Sequence, residues 1–258
     1  MGVTVGIRRE DKNEWERRVP LIPADLADLA REHDIDFIAQ PSPIRVFTDD
    51  EYRAAGVAVD EDLDPAAVVL AVKESPADLL RRDRTYLFFS HTIKGQLYNM
   101  PLLRRLLDLE CTLIDYEKIA DEQNRRLIFF SLHAGYAGMI ETLVALAGRL
   151  AAQGIRTPLE QVKHAYEYAS LVEAQNHLQQ IGHELAGGNW GDLDRPLVIG
   201  VAGYGNVARG CQEILECLPV KEIEVEDLER TAASSVDEVG PLVKVCLLYT
   251  SPSPRDAR

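Results

Sequence analysis

Two short apolar runs, close together in the first third of the chain, constrain its fold more than any other feature. Residues 68–72 (VVLAV) lead into Lys73, and residues 86–89 (YLFF) are followed by Ser90 and His91. Short β-branched and aromatic runs bounded by polar residues and proline are typical of buried parallel strands. Parallel strands end at one edge of their sheet, and open α/β sheets bind ligands beyond that edge. We therefore predict that Lys73 and His91 face a common crevice.

The pair formed by Lys73 and His91 has two interpretations. Lysine and histidine both donate and accept protons in active sites, so the pair suits acid–base work on a bound substrate. The other interpretation is structural, with Lys73 as a solvated strand end and His91 as a helix cap. The two residues alone leave this choice open.

The rest of the first half alternates strand-like and helical patterns. Pro23 suits the first turn of a helix, and Thr48 with Glu51 matches a helix-capping box. This alternation predicts a parallel α/β domain, which we assign to residues 1–133. Further strands are predicted at residues 3–7, 36–39, 111–115 and 126–130, and a helix at residues 101–109.

A charged segment follows the first predicted strand. Its cations are interleaved with acids, so the simplest interpretation is a solvated, salt-bridged face. The segment holds Arg8, Arg9, Lys12, Arg17 and Arg18 with Glu10, Asp11, Glu14 and Glu16.

A glycine-rich turn lies in the second half. The apolar run 196–202 leads directly into GYGNVA at residues 203–208, and the helical pattern 209–218 follows. This is the dinucleotide fingerprint in its strand–turn–helix context, with Ala208 at the third small position. The cofactor-binding residues it predicts are Gly203, Gly205, Asn206 and Val207. The alternative is a tight turn that binds nothing.

The choice between NAD and NADP stays open. A second strand of this unit is predicted at residues 222–225, and an acid that binds the ribose is expected near its end. Glu224 and Glu226 both lie near the expected distance from the turn. Nothing in the sequence favours one over the other.

The second domain, residues 134–245, begins with the small-residue motif AGYAGM at residues 134–139, followed by the helical run 140–152. Small residues at the start of a long helix permit close packing or a hinge. After residue 225 too little chain remains for a complete dinucleotide-binding sheet. Residues 246–258 resemble a translated sequencing adapter and are excluded from the fold. We therefore expect an α/β protein of two Rossmann-like parallel-sheet domains, the second truncated. The chain would be the N-terminal fragment of a longer enzyme and inactive alone.

Charge and cysteine content narrow the class of function. The net charge of −14 argues against nucleic-acid and membrane-surface partners. The four cysteines fit neither a zinc site nor a disulfide framework, so we expect no metal and a reducing, cytoplasmic setting. No signal peptide and no membrane-spanning run is visible.

Several separated motifs resemble one enzyme family. The chain is similar, over residues 3–220, to the lysine–ketoglutarate reductase part of the saccharopine-forming enzymes, within the alanine dehydrogenase and transhydrogenase-like superfamily. HTIKGQ and DYEKI are more specific to the saccharopine branch than the glycine loop is. The motifs are GIRREDKNEWERRVPLIP, VFTDDEYRAAG, VKESP, TYLFFSHTIKGQLYNMPLL, CTLIDYEKI, AGYAGM and GYGNVARG.

The resemblance implies roles for individual residues. Lys73 and His91 match the acid–base pair, and Arg18 matches an arginine that holds a substrate carboxylate. Further charged positions around the substrate pocket match Glu74, Lys94 and Glu117.

The resemblance also implies a reaction. L-lysine and 2-oxoglutarate would condense and be reduced by NADPH or NADH to saccharopine, in lysine metabolism. The alternatives are an NAD-dependent, lysine-forming saccharopine dehydrogenase and a non-catalytic ligand-binding homologue. The expected partners are these small molecules, with no nucleic acid or membrane. A homo-oligomer and a second dehydrogenase domain in the parent protein both stay open.

Overall fold

A computed structural model describes residues 2–188, 190–191 and 193–247. The chain divides into two compact units, Met1–Phe129 and Phe130–Arg258. The sequence patterns put the boundary after residue 133, four residues further along. Each unit contains its own parallel sheet, as the α/β prediction requires.

The first unit is built on a six-stranded sheet in the order β3-β2-β1-β4-β5-β6. Every neighbouring pair is parallel. The chain moves outward from β1 through β2 to β3, then returns to the other side of β1 with β4. The strand order therefore switches between β1 and β4, the place where open α/β sheets form a crevice. The strands are β1 (Val3–Ile7), β2 (Ile35–Ala39), β3 (Ala58–Val59), β4 (Val68–Lys73), β5 (Thr85–Phe89) and β6 (Thr112–Asp115).

Three α-helices connect these strands: α1 (Pro23–Glu32), α2 (Asp49–Ala54) and α3 (Met100–Asp108). Pro23 opens α1 as predicted. The capping box is also confirmed, because the Thr48 hydroxyl accepts from the Glu51 N–H and the Glu51 carboxylate accepts from the Thr48 N–H. Both groups satisfy backbone donors that a helix start otherwise leaves unpaired.

The sheet of the first unit has an apolar core on each face. Val69, Tyr86 and Phe88 pack with α3 on one face. Other residues of β1, β2 and β4 pack with α1 and α2 in a second cluster. Phe89 follows Phe88 in the same strand but belongs to a third, small cluster with Val72 and Tyr116. Successive side chains of a strand point to opposite faces of the sheet, so Phe89 faces away from Phe88. On its own face Phe89 packs with Val72 and Tyr116, next to the residues that follow β4 and β5.

The predicted strand at residues 126–130 is wrong. Arg126 forms only an isolated antiparallel bridge with Ala120, and a helix starts at Ser131. Leu127 and Phe129 are exposed, so no neighbouring element covers the apolar side chains that suggested a strand. An apolar run becomes a buried strand only where the fold supplies that cover.

The second unit contains a three-stranded parallel sheet in the order β7-β9-β8. β8 starts and ends two residues earlier than the predicted strand 222–225. Cys246 and Leu247 lie in β9, so excluding all of residues 246–258 from the fold was wrong for these two. Residues 248–258 lie outside the described part. The elements are α4 (Ser131–Ala152), α5 (Leu171–Ala186), β7 (Leu197–Ala202), α6 (Asn206–Leu215), β8 (Val220–Ile223), α7 (Leu228–Ala233), α8 (Val236–Val239) and β9 (Leu242–Leu247).

Two glycines allow α4 and α6 to pack very closely. A Cβ added to Gly135 would lie 2.1 Å from the Val207 carbonyl oxygen, and one added to Gly210 would lie 2.2 Å from the Leu132 carbonyl oxygen. Gly135 belongs to the small-residue motif expected to permit close packing or a hinge at the start of a long helix. The motif lies near the start of α4, and Gly135 provides the space that α6 needs.

The described helices include none with the length and apolar character needed to cross a lipid bilayer.

Candidate active site

The end of β4 is held by a buried carboxylate from the loop after β1. Both oxygens of Glu10 accept backbone hydrogen bonds, from the N–H of Val72 at 2.6 Å and from the N–H of Lys73 at 3.0 Å. Burial raises the pKa of Glu10, while these two hydrogen bonds and the charge of Arg8 oppose the rise. The regular pairing of β4 with β5 breaks between Leu70 and Lys73, which is where Glu10 takes over the backbone donors. Glu10 therefore fixes the position of the Lys73 backbone.

The side chain of Lys73 shares a second carboxylate with Arg18. The Lys73 Nζ lies 3.9 Å from Glu16 Oε2. Arg18 binds Glu16 in a fork, with Nε to Oε1 at 2.7 Å and Nη2 to Oε2 at 2.6 Å. Burial raises the pKa of Glu16, but the hydrogen bonds and charge of Arg18, with the charge of Lys73, outweigh it and lower the pKa. An anionic Glu16 thus gathers both cations at the switch between β1 and β4.

An imidazole and two cations converge on Glu117, which follows β6. The His91 Nδ1 lies 3.2 Å from Oε2, while Lys94 Nζ and Arg126 Nη1 lie 2.9 Å and 3.4 Å from Oε1. The Glu117 side chain is only 8% exposed. Burial raises its pKa, but the hydrogen bonds and charges of Lys94 and His91 outweigh burial and lower it. Glu117 is therefore a buried anion that orders the cations around it.

The imidazole of His91 lies between an acceptor and a donor. Its Nδ1 is 3.2 Å from the Glu117 carboxylate and 3.3 Å from the Lys94 ammonium. A carboxylate only accepts and an ammonium only donates, so Nδ1 carries a proton when it bonds Glu117 and has none when it bonds Lys94. The surroundings of His91 therefore offer a partner to either neutral tautomer.

The backbone of His91 is strained. It has φ 54° and ψ 10°, the left-handed conformation, directly before the short 3-10 turn Thr92–Lys94. A residue other than glycine in this conformation costs about 1–3 kcal/mol and persists only where its surroundings enforce it. The Phe89 ring stacks on the imidazole at 6.4 Å, and Tyr116 packs edge-on against Phe89 at 5.0 Å. Such strain is typical of functional positions.

Glu74 follows Lys73 but pairs with Lys12 from the charged segment. Its side chain is 14% exposed, and its Oε2 is buried without a hydrogen-bond partner among the described residues. The six predicted catalytic and substrate-binding residues thus form three neighbouring ion-pair groups in the first unit. Arg18 and Lys73 share Glu16, His91 and Lys94 share Glu117, and Glu74 pairs with Lys12.

In the second unit, the glycine turn has the backbone that the fingerprint predicts. Gly203 has φ +93°, a conformation that L side chains rarely adopt, directly after β7. Gly205 is the N-cap of α6, so the helix starts at Asn206 and Val207 with unpaired N–H donors. Ala208 is buried, as the third small position of the fingerprint requires for helix–sheet packing. These residues fit the pyrophosphate of a dinucleotide.

The two acids that lie near the expected distance for a ribose contact both follow β8. Glu224 directly follows β8, and Glu226 lies in the short 3-10 turn after it. The strand beside β7 is β9, so β8 lies one strand further from the glycine turn. Neither acid therefore ends a strand that neighbours β7.

The family model for the N-terminal domain of alanine dehydrogenase/PNT matches residues 6–137, more than half of the chain. The chain belongs to this family. All six predicted catalytic and substrate-binding residues lie in the matched range. The glycine turn lies outside it.

Two relatives and one solved structure add detail. The chain is 38% identical to alpha-aminoadipic semialdehyde synthase, mitochondrial, of Rattus norvegicus, with 93% of this chain covering 25% of that protein. It is 29% identical to saccharopine dehydrogenase [NAD(+), L-lysine-forming] of Neurospora crassa, with 79% of this chain covering 54% of that protein. The chain therefore spans about a quarter of the rat relative. A structure of L-alanine dehydrogenase matches with a TM-score of 0.57 at 18% identity, covering 96% of this chain and 61% of that one, and shows the same fold.

Sequence patterns missed three charged residues of this family site: Glu10, Glu16 and Arg126. The interpretation of the charged segment as a solvated face is wrong for Glu10 and Glu16, which are buried, and for Arg8, which is also buried. The signal available was the interleaving of acids with cations directly after a predicted strand. In the described part of the chain, no group of three or more His, Cys, Asp or Glu side chains is arranged to hold a metal ion.

Proposed function

We propose that this chain contributes the acid–base and substrate-binding residues of a nicotinamide-dependent oxidoreductase that forms saccharopine from L-lysine and 2-oxoglutarate. One observation supports this most directly. Lys73 ends β4 and His91 lies two residues after the neighbouring parallel strand β5, and each lies beside its own buried carboxylate. The motifs of the saccharopine branch and the similarity to the rat and fungal relatives point to the same chemistry.

The reaction requires protons to move at two atoms. The ε-amine of lysine attacks the keto carbon of 2-oxoglutarate, and water leaves as the imine forms. As the neutral imine forms, the amine nitrogen must lose two protons and the departing oxygen must gain two, and a pair of acid–base groups can carry them. Lys73 and His91 would carry these protons. Glu117 would stabilise the imidazolium form of His91 with its negative charge.

The substrates carry several carboxylates, which need fixed cations. Arg18 carries a fixed positive charge, and its side chain is 43% exposed although Nε and Nη2 hold Glu16. Lys94 and Arg126 lie 2.9 Å and 3.4 Å from Glu117 and are similarly accessible. We propose that these cations orient the carboxylates of 2-oxoglutarate and of the product.

The second unit would hold the nicotinamide cofactor. Gly203, Gly205 and the first N–H groups of α6 would bind the pyrophosphate. The cofactor, when bound, supplies the hydride that reduces the imine. The fungal relative's name specifies NAD(+), and a comparison of rates with NADH and NADPH decides which is used here.

The test uses the complete product of the gene that encodes this chain. Lysine and 2-oxoglutarate together should oxidise NADH or NADPH, measured by absorbance, whereas either substrate alone should not. A folded protein that binds nucleotide yet oxidises neither cofactor with both substrates present would overturn the proposal.

A lysine-forming saccharopine dehydrogenase is the second candidate, favoured by the fungal similarity. It would release lysine from saccharopine with NAD faster than it forms saccharopine from lysine. Measuring both directions with NAD and NADP pairs at one pH separates the two candidates.

The cytoplasmic location stays a prediction. The name of the rat relative specifies the mitochondrion. Fractionation of the source cells, with antibody detection of this protein, tests the prediction.

A further inference from the structure

A fourth buried carboxylate, Asp115, lies behind His91 and Glu117. Asp115 is the last residue of β6 and is 8% exposed. One of its oxygens accepts from the Ser90 hydroxyl, and the other accepts from the Glu117 N–H at 2.8 Å. A single side chain therefore connects the residue before His91 to the backbone of the carboxylate that His91 faces.

The strained turn at His91 is held from both sides. The Ser90 hydroxyl, in addition to its bond with Asp115, accepts from the Thr92 N–H at 3.1 Å. The Ser90 carbonyl accepts from the side-chain amide of Asn99 at 2.9 Å. Ser90 is 0% exposed and Asn99 4% exposed, so these bonds have no competing water. Buried, fully paired polar networks of this kind rigidify the segment that contains them.

We propose that Asp115 is a positioning residue that fixes His91 against Glu117 in the catalytic geometry. The proposal rests on the function proposed above, because it assumes that His91 transfers protons. Asp115 reaches the imidazole only through Ser90 and the Glu117 backbone. It therefore acts through other residues rather than on a substrate.

The competing explanation is that Asp115 only stabilises the fold. A stabilising role predicts lower melting temperature with normal turnover by the folded fraction. A positioning role predicts lower kcat in protein that is fully folded, since a displacement of about 1 Å at a reacting group can cost about a hundredfold in rate. KM should change little, because the substrate carboxylates would be held by other side chains.

The experiment compares Asp115→Ala with Asp115→Asn in the complete gene product. Alanine removes both connections and should lower kcat at least about tenfold. Asparagine keeps an oxygen for the Glu117 N–H and can donate its amide to the Ser90 hydroxyl, so it should recover much of the loss. Equal kcat for wild type and Asp115→Ala would overturn the proposal.

Asp49→Ala is the matched control. Asp49 also ties a loop together, by accepting from the Ser42 N–H at 3.2 Å and pairing with Arg45. It should lower the melting temperature and leave kcat unchanged. If Asp49→Ala lowers kcat as far as Asp115→Ala does, a general loss of stability explains both variants and the positioning role fails.

A double substitution of Asp115 and Glu117 provides a second test of the positioning role. If Asp115 acts through Glu117 and His91, Asp115→Ala should lower kcat much less in a Glu117→Gln background than in the wild type. If the two substitutions lower kcat independently, so that their fold-changes multiply in the double variant, the proposal is contradicted.

Failure of the proposed function can be told apart from failure of the positioning role. A wild-type protein with no turnover of lysine and 2-oxoglutarate refutes the function. The positioning role is then decided by a crystal structure of Asp115→Ala. His91 should leave its left-handed backbone or move away from Glu117, and an unchanged conformation with the 3.2 Å contact would overturn it.

Discussion

At the scale of single residues, the site consists of cations held by buried carboxylates. Glu16 gathers Lys73 and Arg18, and Glu117 gathers His91 with Lys94. Buried carboxylates are stable here because each is paired with cations or with backbone N–H groups. The cations paired in this way stay partly exposed, as the proposed binding of anionic substrates requires.

Replacing either acid–base residue should slow turnover and spare the fold. Lys73→Met and His91→Gln should each lower kcat about a hundredfold or more, the usual contribution of a general acid or base. The Lys73 and His91 side chains are 26% and 23% exposed, so neither fills a core position. Circular dichroism checks the fold, and steady-state kinetics checks kcat.

Lys163→Met is the control for the lysine substitution, because Lys163 lies in the second unit, half-exposed beside Glu173. It should keep wild-type kcat. Turnover by Lys73→Met and His91→Gln equal to that of this control would return both residues to a structural role.

The pH dependence of stability should reveal Glu117. Its pKa in the folded protein is lowered, so its stabilising contribution is complete above the ordinary value of 4.5 and is lost as the pH falls through the folded-state value. Wild type should therefore lose stability below about pH 4.5 more steeply than Glu117→Gln. Urea unfolding at a series of pH values measures this, and parallel curves for the two proteins would contradict it.

Sequence patterns locate some of these residues and miss others for a physical reason. Lys73 and His91 lie at or just after apolar runs that predict strands, so the pattern of apolar residues locates both. Glu10 acts on Val72 and Lys73, 62 and 63 residues further along the chain, and Asp115 bonds Ser90 at a separation of 25 residues. Local patterns carry no information about contacts at such distances along the chain.

At the scale of elements, tertiary packing decides where helices begin. Glycine lowers helix propensity, so the local sequence of the AGYAGM motif favours a helix only weakly. The structure includes the motif in α4, because Gly135 packs against α6 near Gly210. Close contact between the two helices compensates for the weak local preference.

Two glycine substitutions test this contact. Gly210→Ala places a methyl group 2.2 Å from the Leu132 carbonyl oxygen and should destabilise the fold by about 1–3 kcal/mol, the usual cost of overpacking. Gly148→Ala, in the same α4, meets no atom within 4 Å and should stabilise by up to about 1 kcal/mol through helix propensity. Thermal unfolding measures both, and stabilisation by both variants would show that the helices do not pack closely.

At the scale of the whole molecule, the two predicted functions belong to two different sheets. The proposed acid–base and substrate-binding residues belong to the first unit, and the proposed nucleotide-binding turn belongs to the second. The strand–turn–helix fingerprint predicts the glycine turn after β7 correctly, because all of its determinants are local. The strand order β7-β9-β8 was beyond sequence patterns, since they give the succession of strands and not their neighbours. Which of Glu224 and Glu226 would reach a ribose stays open.

This division predicts that a substitution in the second unit changes the affinity for nucleotide and leaves the affinity for 2-oxoglutarate unchanged. Gly203→Ala forces an L side chain to φ +93° and should weaken nucleotide binding about tenfold, since the strain is about 1–2 kcal/mol. Binding of 2-oxoglutarate should be unchanged. Calorimetric titration with each ligand measures both affinities, and an equal loss for both ligands would contradict the division.

The most direct test of the central claim follows the product itself. The complete gene product, incubated with lysine, 2-oxoglutarate and reduced nicotinamide nucleotide, is analysed by mass spectrometry beside Lys73→Met. We predict saccharopine with the wild type and a large loss of it with the variant. Absence of saccharopine with folded, nucleotide-bound wild type, or equal amounts from both proteins, would contradict the account.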